Sequence, residues 1–340
     1  MRDLKIDILR TIGILLVILA HVKLPELVRS IRSFDVVMLV FISGMSFAYS
    51  KPKKYTVYIA NRVRQLLVPT YITLTIIFAI SAIVCSVLKR QQLFDVATII
   101  SSYFFLDSGI GYVWIAKAYM LLAIASPLLN RIVVSVKDDW QFIFVNLALY
   151  VTYYSLIIVF ENRYLVFTDY LFYLLPYSIV FMLGMRCVKF PSFINKIILT
   201  STISYCVLQS WEFIRGNGFN PNTYKFPPRA LYLLYGITLA SILYKMLPAH
   251  CSCSSLVRWI SKRSFSIYLV HIIVLFGVNL IADLINISLL DVFLIEYAIV
   301  LISTLFIVHM IDQFRNRLRE TSYLLNKSKA LKNNREGESS

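Results

Sequence analysis

The sequence predicts an all-α fold, a polytopic transmembrane helical bundle of about ten helices with N- and C-termini cytoplasmic. Three observations predict it. The 340 residues are 59% hydrophobic and only 15% charged, with a mean hydropathy of +0.72, which is more apolar surface than one soluble core can bury. The apolar residues gather into runs of about 17 to 25, the length that crosses a hydrocarbon layer of roughly 30 Å. Roughly two thirds of the 34 Lys and Arg residues fall in alternate segments between those runs, as expected when positive loops stay in the cytoplasm.

Each run has its own boundaries. The first, 8–24, follows Arg2 and Lys5 like a signal peptide, but Arg10 interrupts it. It closes on His21-Val22-Lys23-Leu24-Pro25 with no small-x-small site, so it is read as a retained helix. Run 34–50 stops at Lys51, and run 67–88 lies between Arg64 and Lys89-Arg90. Segment 95–106 is apolar but too short to span and is expected to be buried or interfacial. Runs 112–134 and 140–160 flank Lys137-Asp138-Asp139, and run 167–187 is closed by Arg186 and Lys189. Runs 195–213, 229–247, 264–286 and 290–312 complete the set, with Lys262-Arg263 ahead of the ninth. Residues 1–314 therefore form the membrane unit. Residues 315–340 form a basic cytoplasmic tail, polar from about Asn326 and expected to be disordered.

The net charge of +16 does not indicate nucleic acid. The basic residues are spread over many short loops, and the run from Arg315 to Arg335 lacks interleaved aromatics, so its expected contact is anionic membrane lipid. Five cysteines show no secreted-type disulfide framework. His250-Cys251-Ser252-Cys253 lacks the second ligand pair of a zinc site, and no metal is expected.

An ionisable group in hydrocarbon is costly, and so is by default a functional candidate. Arg10 and His21 both lie in the first run, eleven positions apart. At 3.6 residues per turn they share a face, separated by roughly 16 Å along the axis. Asp7, one turn before Arg10, falls near the same stripe and can orient the guanidinium. Alone, Arg10 reads as a snorkelling residue and His21 as a packing histidine; the shared face argues for a site. Lys117 lies one turn after Trp114 and reads equally as a carbonyl-polarising group or a snorkelling lysine. Ser264, Tyr268 and His271 recur at helical spacing and are assigned supporting roles. Asn222-Thr223-Tyr224-Lys225-Phe226-Pro227-Pro228 joins aromatic rings to polar groups and reads as a glycan-facing loop or a rigid turn.

Arg10 and His21, within Asp7-Ile8-Leu9-Arg10-Thr11-Ile12-Gly13-Ile14, resemble the first-helix signature of acyltransferase family 3, integral-membrane enzymes that O-acylate cell-surface carbohydrates. Phe41-Ile42-Ser43-Gly44-Met45 is similar to that family's Phe-x-Ser-Gly-Phe segment, and Arg62-Val63-Arg64 with Pro69 to its Arg-x-Arg and proline. Trp114 with Tyr119 and Pro127, then Phe181-Met182-Leu183-Gly184, then Ser264-Phe265-Ser266-Ile267-Tyr268-Leu269-Val270-His271 follow in the family's order. The likeness runs from Asp7 to about Asp312. Two departures stand out: Asp312-Gln313-Phe314 replaces a Glu-x-Pro ending, and the residues after the tenth run are not expected to form an esterase-like domain.

The resemblance implies a membrane-bound O-acyltransferase that takes an acyl group, acetyl by preference, from acyl-CoA and gives it to a hydroxyl of a cell-surface or lipid-linked polysaccharide. It implies a multi-pass protein of a bacterial cytoplasmic membrane with no permanently bound cofactor. On that reading Arg10, Arg62 and Arg64 bind the phosphates of the donor through guanidinium forks, and Arg10 and His21 are the catalytic pair. Asp7, Ser43, Trp114, Lys117, Tyr268 and His271 support them. His21 acts as general base or carries the acyl group itself, and the residues leave both routes open. The alternative reading is a glycolipid or polysaccharide transporter or flippase without acyl-transfer chemistry. It predicts repeated halves, and no convincing repeat is found.

Overall fold

The computed structural model describes residues 3–51, 54–160, 165–248, 254–285 and 292–337. Among them the chain is helical, without strands. The helices are α1 (Leu4–Leu19), α2 (Glu26–Ile31), α3 (Asp35–Ala48), α4 (Tyr55–Arg62), α5 (Val68–Val87), α6 (Val96–Tyr103) and α7 (Trp114–Ser135). They continue as α8 (Asp139–Phe160), α9 (Thr168–Lys189), α10 (Phe193–Ile214), α11 (Ala230–Met246), α12 (Ser254–Ile285) and α13 (Phe293–Gly337).

Each of the ten expected runs is helical where it is described, but among the described residues 8 helices are long and apolar enough to cross a membrane by length and composition. The runs 8–24 and 229–247 form the shorter α1, of 16 residues, and α11, of 17. Elsewhere helices overrun the apolar windows. A turn of 3-10 helix joins α2 to α3, and a π-turn over Val63–Leu67 joins α4 to α5, so one helical stretch runs over Tyr55–Val87. Polarity marks the edge of the hydrocarbon, whereas the backbone hydrogen-bond ladder continues until a cap or breaker stops it. For the same reason α13 continues through the tail expected to be disordered, as far as Gly337, over Lys, Arg, Leu and Ala, which favour helix. Segment 95–106 holds the 8-residue α6, capped by Asp95 accepting from the Thr98 amide at 2.8 Å. The His250–Cys253 segment lies outside the described residues.

Lipid offers little hydrophobic drive for helix association, so close backbone packing must supply it. The central crossing is α3 on α9. A Cβ on Gly44 would lie 2.0 Å from the Phe181 carbonyl oxygen, and one on Gly184 2.0 Å from that of Phe41. The two short Phe-x-x-Gly segments are thus the two sides of one contact. Around this pair pack α1, α7 and α11, and α12 packs on α1. Helices α8, α10 and α13 turn large apolar side chains such as Phe144, Ile158, Val207 and Phe306 outward. Pro127 inside α7 removes the amide that would bond the Ala123 carbonyl, and the Ser126 hydroxyl donates to that oxygen at 2.9 Å instead.

Candidate active site

α1 stops at Leu19, so His21 stands in the turn just past the helix and not inside it as expected. The amide of His21 still reaches the Ile18 carbonyl at 3.1 Å, but Pro25 follows and restricts the residue before it to extended backbone. The last carbonyls of a helix lack partners within it. The imidazole of His21 folds back on one of them, with Nδ1 2.7 Å from the Val17 oxygen.

His271 on α12 completes the arrangement. It is fully buried, its Nδ1 faces the Tyr268 carbonyl, and its Nε2 lies 3.2 Å from His21 Nδ1. A carbonyl oxygen can only accept, so each Nδ1 must carry the proton of its ring. His271 Nε2 is then a lone pair that shares the His21 Nδ1 proton, and the lone pair of His21 resides on Nε2. Among the described residues no protein group engages that nitrogen. Two backbone carbonyls thereby hold His21 in the tautomer of a general base. Tyr112 packs on the His21 ring with centroids 5.2 Å apart, and the Tyr268 hydroxyl donates to the Tyr112 carbonyl.

Two cavities meet at Val17, whose carbonyl His21 contacts. The first, of about 440 Å³, is lined by Arg10, Ser43, Tyr58, Arg62, Tyr119 and Tyr268, among others. The second, of about 570 Å³, contains His21, Arg32, Asp35, Trp114, Lys225 and Glu296 in its wall. Val17 and Ile115 line both, so the partition between them is one side chain thick there.

In the first cavity Arg10 donates from Nη2 to the Ser46 hydroxyl at 2.6 Å and from Nη1 to Ser261 at 3.5 Å. Ser261 in turn donates to Asp7 Oδ1 at 2.6 Å. Asp7 therefore reaches the guanidinium through the α12 serine. Arg62 lies over the Tyr58 ring at 5.1 Å, in the helical turn before the π-turn. Pro69 supplies no amide to the Gln65 carbonyl, and the wider turn is closed by the Val68 amide on Val63. Arg64 is exposed and lines neither cavity. Two steps along a helix turn a side chain by about 200°, so Arg62 and Arg64 cannot both face one cavity.

Of the supporting residues, Ser43 and Tyr268 line the first cavity, Trp114 the second, and His271 touches His21. Lys117 lines neither. It is buried, ion-paired to Asp107 at 2.7 Å and set over the Tyr173 ring at 4.1 Å. This lysine fastens α7 to the preceding loop and does not snorkel to an interface. The altered ending also finds a role: Asp312 accepts from Arg263 Nε and ties α13 to α12.

Arg32, Asp35 and Glu296, which no motif marks in the sequence, also line the second cavity. Arg32 Nη1 donates to Asp35 Oδ2 at 2.6 Å, both side chains being buried, and Glu296 Oε2 accepts from the Lys23 amide at 3.0 Å. Asp35 and Glu296 stand in the apolar runs 34–50 and 290–312, where the criterion that singled out Arg10 applies equally. In the loop 222–228, Asn222, Lys225 and Phe226 line the second cavity. The Lys225 ammonium lies 5.1 Å from the Trp114 ring and 5.3 Å from that of Phe226. Lost hydration pulls it down to about 8 against the opposing field of Asp35.

A family model described as an acyltransferase domain, that of acyltransferase family 3, matches residues 3–311. Neither a curated protein nor a solved structure matches the chain.

Proposed function

The chain belongs to this acyltransferase family, and on that premise we propose that it transfers an acyl group, by preference acetyl, from acyl-CoA to a hydroxyl of a cell-surface or lipid-linked polysaccharide. The observation that carries the reading is His21, a tautomer-locked imidazole in the wall of one cavity and in contact with Val17, which separates it from a second cavity of unlike chemistry.

The Arg10 cavity is the donor side and opens to the cytoplasm, where acyl-CoA is made. Arg10, Arg62 and Lys262 line it and match a phosphate-rich donor. The hydroxyls of Ser43, Tyr58 and Tyr119 can take the amide groups of a pantetheine arm. The His21 cavity is the acceptor side and opens to the opposite face of a bacterial cytoplasmic membrane. Trp114 and Phe226 offer ring faces to a sugar there.

In the transfer step, His21 Nε2 takes the proton of the acceptor hydroxyl while its oxygen bonds to the thioester carbonyl carbon. The tetrahedral adduct collapses, the carbon–sulfur bond breaks, and the thiolate leaves with the proton returned by the imidazolium. The products are an ester and a thiol. His271 stabilises the imidazolium orientation by holding Nδ1–H. The covalent route uses the same Nε2 as nucleophile, and labelled acyl-CoA without acceptor would then leave label on His21.

The test is replacement of His21 and Arg10 by Ala, with membrane insertion confirmed and ester-linked acyl groups on the cell's glycans measured. Both variants should lose acylation. Acylation that persists in both while glycan export fails would replace this reading with a transporter.

A further inference from the structure

The His21 cavity carries more positive charge than its own residues neutralise. Lys225 is only 8% exposed, and among the described residues its ammonium has no hydrogen-bonded or ion-paired partner; it faces the Trp114 and Phe226 rings. The nearest carboxylate by electrostatic influence, Asp35, is already engaged at both oxygens. Oδ2 accepts from Arg32 at 2.6 Å and Oδ1 from the Val36 amide at 2.8 Å. Glu296, across the cavity, accepts from the Lys23 amide at 3.0 Å. Arg32 spends Nη1 on Asp35, yet its Nε is buried with no partner. Two buried cations on one cavity wall thus keep donor capacity that the protein does not use.

A buried charge without a counter-charge is strongly unfavourable, and folds normally pair it or remove it. Arg32 has its counter-charge in Asp35 but Lys225 has none, and the retention of Lys225 on a cavity wall is explained when a ligand supplies the acceptor atoms. We propose that this cavity contains an anionic subsite, in which Lys225 and Arg32 bind a carboxylate or phosphate oxygen carried by the sugar acceptor. The chemistry is shared by a uronic acid and a sugar phosphate. Trp114 and Phe226, whose rings meet edge to face at 5.2 Å, form the apolar floor beside it. Both cations lie within electrostatic reach of His21, so an acceptor anchored by its anion presents a neighbouring hydroxyl to the base. The anion site stands on the charge pattern; its assignment to the acceptor rests on the acyl-transfer reading.

The experiment uses the full chain in lipid nanodiscs with no acyl donor. D-glucuronate, D-glucose 1-phosphate, D-glucose and inorganic phosphate are titrated while tryptophan fluorescence is read, since Trp114 lies under Lys225. At least one of the two sugar anions should bind at least tenfold more tightly than glucose. Lys225→Met should abolish that preference and Lys225→Arg should keep it. The subsite is overturned if glucose binds as tightly as both anions, if none of the sugars binds, or if Lys225→Met retains the preference. Inorganic phosphate binding as tightly as the sugar anions overturns the acceptor assignment. Because no chemistry occurs in this assay, anion preference in a protein that acylates nothing overturns the enzyme reading and leaves the subsite. Acylation without anion preference does the reverse.

Discussion

Arg186 and the Arg32–Lys225 pair are both buried cations in a membrane bundle, and they differ in how many of their donors are used. Arg186 is fully buried. It donates to the carbonyls of Val133, Val136 and Lys137 and twice to Asp139, which also holds Lys196 at 2.8 Å. The Phe190 ring lies 4.0 Å from its guanidinium. This cluster joins α7, α8, α9 and α10 and leaves nothing for a ligand. On the wall of the second cavity, Arg32 Nε and the Lys225 ammonium keep unused donors. A saturated buried charge holds a fold together, whereas an unsaturated one beside a cavity is available for binding.

The contrast can be broken or sharpened by substitution. The largest effect is expected at His21, where Ala removes the base at the edge of the unsaturated region. Acyl transfer should fall by about 10²- to 10⁴-fold with unchanged yield of inserted protein, and a variant that keeps wild-type turnover would sink the assignment. At the saturated cluster, Arg186→Ala leaves three backbone carbonyls without their donor and Asp139 with Lys196 alone, and should cost about 3–5 kcal/mol. The expected sign is loss of monodisperse protein in detergent, with donor and acceptor KM unaltered in whatever survives. Gly44→Ala or Gly184→Ala forces a methyl group against a backbone oxygen at the α3–α9 crossing. Overpacking of about 1–3 kcal/mol should lower the unfolding midpoint without selective loss of turnover.

Smaller effects bear on how the site is tuned. His271→Phe keeps a ring but removes one of the two acceptors of the His21 Nδ1 proton, leaving the Val17 carbonyl. One lost hydrogen bond of about 1.4 kcal/mol should lower kcat about tenfold with the donor KM retained; a change in KM alone would mark His271 as mere packing. Lys225 provides the last test. Its ammonium is charged below about pH 8 and neutral above. Affinity for an anionic acceptor should therefore decline as pH rises through that value, and in Lys225→Arg, whose guanidinium stays charged, the decline should vanish.

Much of this was legible in the chain. Composition and run length identified a helical membrane bundle, and Arg10 with His21 were picked out by burial cost and spacing alone. What was misjudged has local causes. His21 was placed inside a helix because hydropathy reports on lipid contact and is silent about where the hydrogen-bond ladder ends. The Arg-x-Arg spacing suggests a pair, whereas helical geometry points Arg62 and Arg64 apart. Lys117 drew attention as an intramembrane charge, and only its contact with Asp107 reveals a structural ion pair. Lys225 was passed over as one residue of a loop, since nothing in a linear sequence marks a loop lysine as buried.

By itself the sequence determined where this protein resides, the helical character of its backbone, and the short motifs of its family, because each depends on the residue types within a turn or a span. The tertiary structure decided which charges are saturated and which are not, and that His271, 250 positions from His21, places a second acceptor beside its Nδ1 proton. Hydrogen-bond partners in a bundle come from helices remote in sequence, so the same arginine or histidine becomes a strut or a reactive group according to what packing brings beside it.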